Sequence, residues 1–81
     1  MVFIATFYAH IGAIRFKKAC DNKNVPARIM PVPRNLSSSC GTCVRFEQDE
    51  LPAWEAFPEE TEAVVQELDG NYQMLYKAKD S

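Results

Sequence analysis

Val2 to Phe7 is an almost unbroken apolar run that includes β-branched residues. That is the pattern of a central strand buried on both faces. Beyond Tyr8 the period changes. Ala9, Ala13, Phe16 and Cys20 fall at i, i+4, i+7 and i+11, which predicts a helix from about His10 to Asp21 with one apolar stripe. Arg15, Lys17 and Lys18 lie largely off that stripe, and Cys20 on it reads as a small packed core thiol. Asp21-Asn-Lys-Asn24 then supplies turn-forming residues.

Val25 to Val32 reads as a second strand. Its prolines, Pro26 and Pro31, with Pro33 just beyond, donate no backbone hydrogen bond and predict a sheet edge. Arg34 to Gly41 is a connecting loop, and Thr42 to Glu47 a third strand. There Val44 and Phe46 alternate with Cys43 and Arg45. The first pair is expected under the helices, the second on the other, more open face.

The second half is acidic. Asp49 is placed to cap a helical region with Pro52 in its first turn, and Leu51, Trp54 and Phe57 are spaced by three. Pro58 breaks that pattern. Thr61, Val64, Val65 and Leu68 then share one side of a helix expected over 58–68. Asp69-Gly70-Asn71 is its stop, Tyr72 to Lys77 the last strand, and Ala78 to Ser81 a frayed tail. The order β-α-β-β-α-β with right-handed crossovers predicts an α+β, ferredoxin-like sandwich. Its antiparallel sheet runs 4-1-3-2 with helices on one face. Strand 1 is then central and strand 2 an edge, in agreement with the apolar run and the prolines.

Eighty-one residues make a single domain, 1–81, with a modest core. Stability of about 5 kcal/mol is expected at this size, and dimerisation would add to it. The net charge of −2 is unevenly spread. Residues 1–46 hold seven Lys or Arg against Asp21, and residues 47–81 hold ten acids against Lys77 and Lys79. A solvated acidic face beside a mildly basic body accounts for this. A sharper reading is a basic surface near Arg34 and Arg45 that receives an anion or an acidic partner.

Three cysteines cannot all pair within one chain. The N-terminus lacks the positive segment of a signal peptide, and no window approaches the ~18 apolar residues of a membrane span. A reducing cytoplasm with free thiols fits best.

The chemistry concentrates between Met30 and Phe46. Pro31 and Pro33 stiffen the entry to the loop. Ser37, Ser38 and Ser39 offer hydroxyls and backbone N–H groups, and Gly41 permits a backbone conformation that other residues resist. Such a loop suits an anion-receiving concavity around the Cys40 sulfur. The thiolate is the nucleophile, and either Arg34 or Arg45 is a candidate cationic partner for it. An ordinary Ser/Gly loop with incidental cysteines remains the plain alternative. Cys40-x-x-Cys43 supplies only two of the four ligands of a closed zinc site, so an intramolecular metal site is not expected, while one shared across a dimer stays open. A thioredoxin-type dithiol normally opens a helix, and this one opens a strand. The third strand lacks the stacking aromatics of an RNA-recognition motif, and with net acidity this argues against nucleic acid. His10, the sole histidine, reads as a helix-start surface residue.

The run Arg28-Ile-Met-Pro-Val-Pro-Arg34-Asn-Leu-Ser-Ser-Ser-Cys40-Gly-Thr-Cys-Val-Arg45-Phe46 resembles the signature of a family of small bacterial domains described as selenium/sulfur carrier-like. Its hallmark is close to P-V-P-R, then S-S-S-C-G, then an R-F pair. The resemblance implies a carrier rather than a stand-alone enzyme, with no cofactor. Cys40 would accept sulfur or selenium from a donor protein as a persulfide or perselenide and pass it to an acceptor. Arg34, Arg45, Gly41 and Ser37 to Ser39 would orient the charged chalcogen. Cys43 would be a resolving thiol, or equally a small residue packed beside the sheet. The alternative class is a non-catalytic partner-binding or regulatory module, with a thiol- or metal-binding dimer as a lesser third.

Overall fold

The computed structural model describes residues 1–78. Its elements are β1 (Val2–Phe7), α1 (His10–Asn22), β2 (Ala27–Pro31), β3 (Thr42–Glu47), a 3-10 turn (Trp54–Ala56), β4 (Thr61–Leu68) and β5 (Asn71–Lys77). The strands form one antiparallel sheet in the order β2-β3-β1-β4-β5. Among the described residues the architecture is α+β with one α-helix. The expected fraying of the tail beyond Ala78 lies outside the described residues. Among the described residues no helix is long and apolar enough to cross a membrane.

The first half follows its sequence pattern. β1 is central, flanked by β3 and β4, and Phe3 to Phe7 are all buried. β2, which ends in Pro31 and follows directly on Pro26, is an edge. The stripe Ala13, Phe16 and Cys20 packs α1 onto one face of the sheet. It meets Phe3, Ala5 and Phe7 of β1, Val44 and Phe46 of β3, and Val64 of β4. Phe16 is the contact at the centre, edge-on to Phe46 at 4.9 Å and stacked on Phe57 at 4.8 Å.

The second half departs from its pattern. The segment expected as a helix over 58–68 contains strand β4, and the acidic region before it holds only the 3-10 turn. Thr61, Val64, Val65 and Leu68 at i, i+3, i+4 and i+7 fit a helix, but the first three, all buried, also fit a strand covered on both faces. Val64 faces the α1 side, its neighbour Val65 the opposite side, and both are buried. Two consecutive valines also favour extended backbone, because branching at Cβ restricts χ1 in a helix. Asp69-Gly70, expected to stop a helix, is a hairpin turn with φ of 48° and 82°. Positive φ at both central residues is the geometry that lets a two-residue loop follow the strand twist. β5 therefore pairs with β4 and becomes the second edge, instead of lying beside β1. The four-stranded order 4-1-3-2 with two helices gives way to five strands and one helix.

The segment between β3 and β4 takes the place of the missing helix. Phe57 stacks on Phe16, and Trp54 lies 5.6 Å from Tyr76. The Tyr76 hydroxyl donates to the Pro52 carbonyl at 2.6 Å, tying this segment to the β5 edge.

The other face carries a smaller cluster of Ile4, Cys43 and Val65, flanked by Met30, Val32, Leu36 and Tyr72. Arg45 lies on this face, near Glu67 at 3.5 Å and Glu47 at 3.8 Å. The expectation of an open face at Cys43 is corrected: Cys43 has no exposed surface. Val32 and Leu36, from the chain leaving β2, pack against it.

Gly12 sets how closely α1 approaches the sheet. A Cβ there would fall 2.6 Å from Cβ of Glu60 and 2.9 Å from the Phe7 ring. Gly→Ala inside a helix ordinarily stabilises by up to ~1 kcal/mol. At this position the overlap with Cβ of Glu60, which moves only with the backbone, reverses the sign. Gly12→Ala is expected to destabilise by about 1–3 kcal/mol, as overpacked cores do. Urea denaturation of the variant beside the wild type measures this, and an unchanged or raised midpoint contradicts it.

Candidate functional site

Residues 32–41 cross the end of the sheet where β1 finishes and β3 and β4 begin. One end of this loop packs on each face. Leu36 joins the small cluster, while Cys40 packs against the α1-side core. Short hydrogen bonds hold the crossing. The Val32 N–H donates to the Gly41 carbonyl at 3.1 Å, and Leu36 N–H to the Pro33 carbonyl at 3.0 Å. The Ser38 hydroxyl donates to the Phe7 carbonyl at the end of β1, at 3.0 Å. Ser39 binds Glu62 twice, through its N–H and its hydroxyl, each at 3.1 Å from one carboxylate oxygen. Gly41 has φ +74°, the left-handed region where a side chain is strained.

Cys40 is the half-buried thiol at the end of this run. Its sulfur lies 3.4 Å from the Thr42 carbonyl, to which the thiol donates, and 3.9 Å from the Ser38 hydroxyl. A carbonyl partner suits a protonated thiol, since a thiolate has no proton to donate. The other two cysteines are buried. Cys20 lies under α1, and its thiol pKa is raised by burial and, to a lesser degree, by the adjacent Asp21. Cys43 lies on the opposite face from Cys40, its thiol 3.7 Å from the Pro31 carbonyl. Burial, with a smaller effect of Cys40, pushes its pKa up to about 11.

The sequence candidates thus divide. Ser38, Ser39, Gly41 and Cys40 belong to one hydrogen-bonded loop. Ser37 and Arg34 are exposed and make no side-chain hydrogen bond or ion pair among the described residues. Arg45 is engaged with Glu67 and Glu47 along the sheet. Neither arginine contacts the Cys40 sulfur, whose polar partners among the described residues are Ser38 and Thr42. His10 is an exposed first residue of α1. Among the described residues no three His, Cys, Asp or Glu side chains are grouped to hold a metal ion.

Glu62 and the Phe7 carbonyl were not visible as site groups in the sequence. With 58–68 read as a helix, Glu62 falls among its outward-facing acids. Its role depends on β4 lying beside β1 and bringing the strand's first residues to the loop.

Two measurements check this arrangement. With a thiol reagent under native conditions, one cysteine is expected to react rapidly and two only on unfolding. The rapid phase should vanish in Cys40→Ser, and its persistence there contradicts the assignment. The raised pKa of Cys43 also makes stability depend on alkaline pH. The folded state holds the Cys43 proton more tightly than the unfolded state does. Its contribution is therefore intact below the ordinary value near 9 and lost as pH rises to about 11. A loss on the order of 2 kcal/mol across that window is expected. Cys43→Ala should flatten the dependence in denaturation curves taken at each pH.

A search of curated proteins and of solved structures finds no match to this chain. A family model does match, and it covers residues 3–73, nearly the whole sheet together with α1 and the Cys40 loop. With that extent of match, the chain belongs to the family described as "Putative Se/S carrier protein-like".

Proposed function

We propose that this protein carries sulfur or selenium on Cys40, as a persulfide or perselenide, between a donor and an acceptor protein. The observation that carries this reading is the partition of the three thiols. Cys20 and Cys43 are buried, while Cys40 alone is partly exposed, on a loop hydrogen-bonded to the ends of two strands. The family match agrees with it.

The chemistry is an exchange at sulfur. The Cys40 thiolate attacks the outer sulfur of a donor persulfide, R–S–SH. The donor's S–S bond breaks, R–S⁻ leaves, and Cys40–S–SH remains. The acceptor thiolate repeats the step on the outer sulfur and regenerates the Cys40 thiolate. No net oxidation occurs, so no cofactor is needed, and selenium follows the same balance. In the resting state the Thr42 carbonyl accepts the thiol proton, and attack requires that hydrogen bond to break. The Ser38 hydroxyl lies 3.9 Å from the sulfur, and it would serve a charged outer chalcogen as a donor only by giving up its hydrogen bond to the Phe7 carbonyl.

Cys43 fits a packing role in this scheme. To resolve the persulfide it would have to ionise, leave a fully buried position and reach the opposite face of the sheet. Arg34, exposed near the loop entry and without an ion pair among the described residues, is placed to attract an anionic partner. Arg45 acts through its ion pairs on the sheet face. A reducing, cytoplasmic setting suits the three free thiols.

Incubation with a cysteine desulfurase and either cysteine or selenocysteine, which load the donor enzyme with a persulfide or perselenide, followed by intact-mass measurement, tests the reading. Wild type should gain one sulfur or selenium, released by dithiothreitol. Cys43→Ala should retain that gain and Cys40→Ser should lose it. Undiminished loading of Cys40→Ser, or none of the wild type, sinks the proposal.

A further inference from the structure

The loop's strongest donors do not point at Cys40. The Ser39 N–H and hydroxyl each give a 3.1 Å hydrogen bond to Glu62, one to each carboxylate oxygen. An anion thus already occupies the anion-receiving part of the loop, and it belongs to the protein itself. Ser39 precedes Cys40 directly, so the same contact fixes the backbone that carries the thiol and puts a carboxylate on the residue next to it. No arginine offsets that charge at the sulfur. Arg45 is engaged with Glu67 and Glu47, and Arg34 has no ion pair among the described residues.

We propose that Glu62 is the positioning residue of the Cys40 loop and sets its charge selectivity. Its carboxylate clamps Ser39, holds Cys40 turned inward against the core, and repels small anionic reagents from the sulfur. Free sulfur anions are thereby disfavoured as donors relative to a neutral donor or a protein that brings its own cation. This inference rests on Cys40 as the reacting group of the proposed carrier.

Alkylation tests it without any sulfur donor. Iodoacetamide is neutral and iodoacetate anionic, and in both the Cys40 sulfur displaces iodide. The ratio of their rates at Cys40, read by peptide mass, therefore reports the local potential, which a purely structural role would not move. Glu62→Gln keeps an acceptor for Ser39 and removes the charge. It is expected to raise the iodoacetate-to-iodoacetamide ratio about threefold, the scale of one charge acting across several ångströms of water. The difference should shrink in 1 M salt. Glu62→Asp keeps the charge and should keep the wild-type ratio. Glu62→Ala removes the clamp as well and should also speed iodoacetamide severalfold. A wild-type ratio in Glu62→Gln overturns the charge selectivity, and a wild-type iodoacetamide rate in Glu62→Ala overturns the clamp. Should wild type fail to take up sulfur while these ratios shift as expected, the carrier reading falls and the assignment of Glu62 stands.

Discussion

The burial of β1 on both faces is the constraint from which the rest follows. A strand covered on one side by α1 and on the other by Val32, Leu36 and its neighbours' side chains needs a paired strand along each edge. β3 and β4 supply those edges, and both run antiparallel to it. All three strands therefore bring an end to the same rim, where β1 finishes and β3 and β4 start. The Cys40 loop is built on that rim. Its serines use groups that the sheet leaves there: the last carbonyl of β1 and the Glu62 side chain of β4.

Phe7 joins the core to the site. Its ring lies in the α1-side cluster and against Gly12, while its carbonyl accepts the Ser38 hydroxyl. Core packing and loop position are thus coupled through one residue. The coupling explains how a domain with a single helix holds a serine-rich loop in one geometry. The loop need not supply its own core, because it borrows the end of a strand that cannot move.

The electrostatics of the site differ from a simple cationic cradle. A carbonyl and a hydroxyl meet the Cys40 sulfur, and a carboxylate sits one residue away. The arginines that flank the loop in sequence are displaced from it in space. Arg45 is drawn along β3 to Glu67, because strand alternation puts it on the face opposite the helix, where β4 presents that acid.

Much of the first half was legible in the sequence because local pattern and tertiary role agree there. An unbroken apolar run became the central strand, prolines marked an edge, a 3.6-residue stripe became the helix, and Cys40 stood out in its loop. The second half was not legible in the same way. Thr61, Val64, Val65 and Leu68 satisfy a helical period, yet two-sided burial produces the same spacing in a strand. Only the presence of β1 beside them selects between the two, by offering a ladder of hydrogen bonds that an isolated segment lacks. That selection also decided the site. It turned Asp69-Gly70 into a hairpin and brought Glu62 to Ser39. The sequence by itself determined which cysteine lies in the loop, since composition and turn chemistry act over a few residues. Which groups anchor that loop, the Phe7 carbonyl and the Glu62 carboxylate, depended on strand pairing across more than twenty residues, and only the tertiary structure decides that.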